Sequence, residues 1–252
     1  MNSPLQYIGG KSRLAKTIID MIPQHTTYCE VFAGAAWVFF RKEISRHEII
    51  NDLDSDLVNF YRVLQNHLEE FLRQFKWLLS SREWFEDWKS QIKARGLTDI
   101  QRAARYYYLQ RHSFAGHVTS QYFGVSKMKG PRINLLRLEE ELSTVHLRLS
   151  RVVIENLPWE QCVKRYDASE TFFYIDPPYY LAPYYRHNLE LRDYERMADI
   201  LAQVDAKFLM SLNSHPDMLR IFERFNIRRV NLRYTASKTN FKRVTELLIS
   251  NF

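Results

Sequence analysis

Residues 172–179 read Phe172-Phe173-Tyr174-Ile175-Asp176-Pro177-Pro178-Tyr179. The aromatic and β-branched run predicts a buried strand, and two prolines end it abruptly. A proline disfavours helical backbone at the residue before it, so Asp176 is held extended at the strand's carboxyl end. Open α/β sheets bind their ligands at that edge. Neither proline has an N–H, so the turn offers carbonyl acceptors without competing donors. Tyr179 adds a flat ring. An acidic acceptor, a bare carbonyl and an aromatic face suit a planar substrate carrying an amine, such as adenine or cytosine. The alternative is an ordinary Pro-Pro turn with a surface aspartate.

An exocyclic amine of this kind is a poor nucleophile because its lone pair is delocalised into the ring. Acceptance of its two hydrogens by the Asp176 carboxylate and the Pro177 carbonyl favours a pyramidal nitrogen. Stacking on Tyr179 then aligns the ring with a methyl donor, so positioning supplies much of the rate.

Working outward, 252 residues with 46% hydrophobic and 14% aromatic content suffice for one α/β domain with a smaller insertion. Lys and Arg number 36 against 29 Asp and Glu, and the resulting +7 modestly favours a polyanionic partner. Cys29 and Cys162 match no metal or redox spacing and read as reduced thiols. No stretch has the length of a membrane span, and Met1-Asn2-Ser3-Pro4 does not open a signal peptide. A soluble, cytoplasmic protein is expected.

Strand-like runs at Tyr28 to Phe32 and Glu48 to Asn51, each followed by a helical pattern, predict a parallel sheet. From Leu57 the period turns helical (Phe60, Tyr61, Leu64, Leu68, Phe71), continues through Ile100 to Tyr108, and returns from Ile133 to Leu149. Further strands are expected at Val152 to Glu155, Thr171 to Ile175 and Lys207 to Ser211. Arg228 to Arg233 and Thr245 to Asn251 would form a closing hairpin. The expected plan is a split α/β domain, 1–57 and 151–252, interrupted by a helical insertion, 58–150.

Two further motifs belong with this sheet. Phe32-Ala33-Gly34-Ala35-Ala36 is a small-residue turn between a strand and a helix, where a ligand can approach the backbone. Asp52 ends the next strand, where an acid in such folds grips ribose hydroxyls. Asn51, Asp52, Asp54 and Asp56 lack the glycine and terminal glutamate of a calcium loop, so no metal is expected. Tyr7-Ile8-Gly9-Gly10-Lys11 is half a phosphate-binding loop without its first glycine, or a turn that sets a ring and a cation against a nucleotide-like ligand.

In this order the elements resemble the Dam-like (D12, alpha-class) DNA N6-adenine methyltransferases. Tyr7 to Lys11 matches the family's aromatic-x-Gly-Gly-Lys opening, Phe32 to Ala36 its Phe-x-Gly-x-Gly loop, Asn51-Asp52 its acidic strand end, and Asp176 to Tyr179 its Asp-Pro-Pro-Tyr motif. Phe208 to Asn213 and Glu246 to Asn251 resemble its later strands. The resemblance implies a Rossmann-like mixed sheet, S-adenosylmethionine as methyl donor, and a cofactor site lined by Tyr7, Lys11, Phe32, Gly34, Asp52 and Asp176. Catalysis would fall to Asp176, Pro177, Pro178 and Tyr179. Two positions depart from the pattern: Tyr7 stands for Trp, which should be harmless for stacking, and Ala36 for the last loop glycine, a change expected to be tolerated because Gly34 occupies the central position.

The resemblance also implies double-stranded DNA as partner, read by the 58–150 insertion, with the target adenine flipped from the stack. Arg111, His112, Lys127, Lys129 and Arg132 are the candidate DNA contacts, the lysines and arginines on phosphates. Tyr106-Tyr107-Tyr108 reads as core rather than as base stacking. A monomer, or a dimer on DNA, of bacterial or phage origin is expected. The rivals are methylation of another amine (cytosine N4, RNA adenine or a protein glutamine) and a catalytically silent DNA-binding homologue.

Overall fold

The Asp-Pro-Pro-Tyr strand lies near the middle of a seven-stranded sheet whose strand order is β3-β2-β1-β4-β5-β7-β6. The computed structural model describes residues 1–78, 80–119, 121–124, 132–182, 184–235 and 241–252. Along the chain the elements are α1 (Ala15–Ile19), β1 (Thr27–Glu30), α2 (Trp37–Arg41), β2 (His47–Asn51), α3 (Ser55–Asn66), α4 (Leu68–Arg73), α5 (Arg82–Ser90), α6 (Asp99–His112) and α7 (Leu135–Leu149). There follow β3 (Val153–Glu155), α8 (Trp159–Tyr166), β4 (Thr171–Ile175), α9 (Leu191–Leu201), β5 (Lys207–Asn213), α10 (Pro216–Ile221), β6 (Asn226–Thr235) and β7 (Phe241–Ser250). No helix among the described residues is long and apolar enough to cross a membrane.

The first five strands pair in parallel, and β7 runs antiparallel between β5 and β6. All five residues of β4 are buried, as a strand covered on both faces requires. Its side chains alternate between two cores. Phe172 and Tyr174 join one apolar cluster, while Phe173 and Ile175 join the other. Strand order reverses between β1 and β4, and the carboxyl ends of these two strands open the crevice where such sheets take ligands.

The second cluster lies under α8, α9 and α10, with Trp159, Met197 and Met218. The first holds Tyr28 and Ile50 of the sheet together with Phe60, Tyr107 and Leu142 of α3, α6 and α7. Helices of the expected 58–150 insertion therefore share one core with the sheet. Phe60 stacks on Tyr107 with ring centroids 5.5 Å apart. Tyr106, Tyr107 and Tyr108 are all buried. α3 starts where Asp54 accepts the Asp56 N–H, and α6 starts in a Thr98–Gln101 capping box. Cys29 and Cys162 are free, buried thiols with sulfurs 3.7 Å apart, side by side despite their separation in sequence.

Phe60→Ala should destabilise the fold by about 3–5 kcal/mol, as loss of a buried phenyl ring does. Urea unfolding checks this, and a loss under about 1 kcal/mol would show that α3 and α6 do not form a cooperative seam with the sheet.

Candidate active site

Beyond β1 and β4 the chain leaves the sheet in two loops that enclose a cavity of about 250 Å³. The loop after β1 is pinned from the next strand. Asn51 donates from Nδ2 to the Val31 carbonyl at 2.9 Å, and its own carbonyl accepts the Ala33 N–H at 2.8 Å. Gly34 has φ +47°, and a Cβ there would come 3.6 Å from the Tyr7 ring. Ala36 also lies in the left-handed region, at φ +51°. A residue with a Cβ adopts that backbone at a cost of about 1–2 kcal/mol.

Asp52 accepts the Gly34 N–H at 2.9 Å and the Asp54 N–H at 2.9 Å. Burial pushes its carboxyl up to about 6 against those hydrogen bonds. Asp54 caps α3 and pairs with Arg186, and Asp56 pairs with Arg186 and Arg102. Both oxygens of Asp52 and of Asp56 are thus occupied by backbone or arginine donors, whereas Asp54 Oδ2 is buried with no hydrogen-bond partner among the described residues.

Opposite Asp52, three parts of the chain meet at one ammonium group. Lys11 Nζ donates to Asp176 Oδ1 at 2.6 Å and to the Gly9 carbonyl at 3.1 Å, and lies 3.7 Å from Glu246 Oε1. It also sits 4.6 Å from the centroid of the Tyr179 ring. Burial alone would lower the lysine's pKa, but Asp176, Tyr174 and Glu246 hold it above its ordinary value. Asp176 is pushed upward by burial, with Lys11 and Ser211 opposing. Ser211 Oγ donates to the same Oδ1 at 3.1 Å. Among the described residues no hydrogen bond goes to Asp176 Oδ2 or to the Pro177 carbonyl. The Pro178 carbonyl, by contrast, accepts the Tyr194 hydroxyl, and the Tyr179 hydroxyl donates to Glu246.

Tyr7, Lys11, Phe32, Gly34, Asp52, Asp176 and Pro178 all border the cavity; Pro177 and Tyr179 lie outside its lining. Sequence reading missed Glu30, Tyr185 and Arg186. Tyr185 stacks near Tyr7, with centroids 6.2 Å apart, and donates to the Ile8 carbonyl at 3.2 Å. Glu30 is an acid inside an apolar strand, a pattern that marks a buried and costly group. It accepts from the Tyr28 hydroxyl at 2.8 Å and the Phe39 N–H at 3.0 Å, and burial pushes its carboxyl up to about 8. The cavity can hold a ligand that is cationic, hydroxylated and partly aromatic.

The expected DNA contacts are placed differently. His112 is 1% exposed, stacks on Phe123, and its ring nitrogens engage the Tyr108 carbonyl and Ser80 Oγ. It is a core residue, because α6 ends with that face turned inward, and burial lowers its pKa. Arg111 donates to the carbonyls of Pro4 and Arg132, and Arg132 donates to the Gly124 carbonyl and to Gln6 Oε1. Gly116 (φ +71°) accepts the Ile8 N–H at 3.0 Å, and a Cβ there would collide with the Gln6–Tyr7 backbone. This stretch therefore braces the N-terminal motif. Lys127 and Lys129 lie outside the described residues.

A family profile described as D12 class N6 adenine-specific DNA methyltransferase matches residues 7–236. The chain is 27% identical to the Type II methyltransferase M1.LlaDCHI of Lactococcus lactis subsp. cremoris, covering 98% of this chain and 94% of that one. It is 24% identical to the Type II methyltransferase M.MjaIII of Methanocaldococcus jannaschii, over 98% of each. It is 23% identical to the DNA adenine methylase of Escherichia coli, over 97% of this chain and 93% of the relative.

The buried acids predict a direction of pH dependence. Glu30, Glu246 and Asp52, with carboxyls pushed up to about 8, 7 and 6, bind protons in the folded state that the unfolded chain has released. Their contribution to stability is fully present below the ordinary carboxyl range and is lost as pH rises to about 8. Glu48 and Asp56, held low against burial by Arg148, Lys42, Arg186 and Arg102, lose theirs in acid. Between about pH 5 and 8 stability should therefore fall. Urea midpoints across that range check this, and Glu30→Gln should flatten the decline; an unchanged decline in that variant would show that Glu30 is ionised in the fold.

Proposed function

Because the chain belongs to the D12 class of N6 adenine-specific DNA methyltransferases, we propose that it moves a methyl group from S-adenosylmethionine to an adenine flipped out of duplex DNA. The observation that carries this reading is the Asp176 carboxylate. Lys11 and Ser211 hold it through one oxygen at the sheet's ligand-binding edge, and the other oxygen faces no described donor. With Tyr194 engaging the Pro178 carbonyl, the Pro177 carbonyl is the second acceptor for the amine. Lys11 and Glu246 orient the Tyr179 ring, on which the base stacks.

The residues present fit the methyl donor. Asp52 and Asp176 suit a sulfonium and ribose hydroxyls, and Tyr7 and Phe32 offer rings. Tyr7, Lys11, Phe32, Gly34 and Asp52 would hold the donor, and Asp176 borders both ligands. When bound, S-adenosylmethionine supplies an electrophilic methyl group. Asp176 accepts an amine hydrogen, which concentrates electron density on the attacking nitrogen, and is the nearest acceptor for the proton released as the new bond forms. The 58–150 segment, with Lys127 and Lys129, is proposed to take part in target recognition.

Labelled methyl transfer to duplex DNA followed by nucleoside analysis should yield N6-methyladenine; N4-methylcytosine, or no methylated base, would overturn the reading. Asp176→Ala should lower turnover by at least about 10²–10³-fold, the scale of a lost charge-stabilising group, while the duplex still binds. Near-normal activity in that variant would place the acceptor elsewhere.

A further inference from the structure

From Asn226 to Thr245 the chain holds six cations, Arg228, Arg229, Arg233, Lys238, Lys242 and Arg243, and no acid. That run supplies six of the chain's seven net positive charges and leaves 30 cations against 29 acids elsewhere. The helical 58–150 segment is also basic, with fifteen cations to nine acids, but over more than four times the length.

Topology sends this charge to one place. β7 pairs with β5 from Glu246 opposite Asn213 to Ser250 opposite Leu209, and the Ser214 N–H still reaches the Thr245 carbonyl at 3.2 Å. Past that point the β6–β7 ladder continues for four more pairs, from Leu232 opposite Val244 to Thr235 opposite Phe241. At about 3.4 Å per residue the hairpin runs roughly 14 Å beyond β5. Because Asn213 ends β5, the extension lies on the edge where Asp176 follows β4. Its base is joined to the site, since Glu246 accepts the Tyr179 hydroxyl and faces Lys11.

The register also sets Arg233 opposite Arg243. Arg228 and Arg229, nearer the base, are exposed. Charge of either sign can guard an edge strand from unwanted pairing, but a run of one sign beside the site calls for a polyanion.

We infer that the β6–β7 hairpin is a second DNA-contacting arm, gripping the sugar–phosphate backbone beside the flipped adenine. The inference rests on the proposed methyltransferase reading and adds a surface that charge counts over the whole chain hide. Such contacts position the duplex without reading its sequence.

The test compares Arg233→Ala/Arg243→Ala with Lys164→Ala/Lys207→Ala, which removes equal charge from the opposite edge of the sheet. Binding to a labelled 20-bp duplex is followed by fluorescence anisotropy from low to high salt, with thermal unfolding as a check on folding. The arm variant should lose at least about tenfold in affinity for every duplex sequence at low salt, and its log–log salt slope should fall by roughly one per cation removed. The opposite-edge variant should match wild type. Equal slopes in all three proteins, or equal losses in both variants, would overturn the arm. A wild-type protein that neither binds nor methylates duplex DNA would instead overturn the underlying reading.

Discussion

A lysine ammonium enclosed by protein is tolerated only where opposite charge meets it, because removing an ion from water costs several kcal/mol. Lys11 meets that condition through Asp176 at 2.6 Å and Glu246 at 3.7 Å. These partners come from the N-terminal turn, the loop after β4 and the strand β7, so one cation ties together regions 165 and more residues apart. Much of the site follows from this constraint. The turn at Gly9 must dock against the sheet edge, Tyr179 must lie over the lysine, and one Asp176 oxygen must be committed so that the other is presented.

The strands, their approximate limits and the Asp-Pro-Pro-Tyr edge were legible because each is a local pattern: apolar runs, breakers and an acid at a strand end. Gly34 and Asp52 were legible for the same reason. Contacts between distant segments were not. His112 sits in a basic stretch and reads as exposed, yet Ser80 and Phe123 close around it. Glu30 reads only as an acid within an apolar strand, and its role emerges when the hydroxyl of Tyr28 and the amide of Phe39 converge on it. Tyr185 and Arg186 carry no motif, and their role follows from a loop that crosses back over Tyr7 and Asp54. The hairpin's charge was hidden by averaging, and its direction depends on a register that composition does not encode.

Division into a catalytic unit and an inserted reader also looks different in three dimensions. α3, α6 and α7 complete the apolar layer on one sheet face. Gln110 holds the carbonyls of Gln6 and Gly116, and Gly116 in turn receives Ile8. The segment expected to face DNA is thus the mechanical support of the Tyr7 ring. A displacement there on duplex binding would be felt in the cavity without any new contact.

The placement of β7 has a consequence for how the protein is made. This strand comes after every other element along the chain, yet it lies inside the sheet, between β5 and β6. Until it emerges from the ribosome, β5 and β6 have open edges facing one another and Lys11 lacks the carboxylate of Glu246. At about 5–20 residues per second, the nascent protein waits in that unfinished state while the hairpin is synthesised. Translation that stops short of residue 246 leaves a gap in the sheet and removes the second carboxylate that faces Lys11, so that Asp176 alone meets the buried cation.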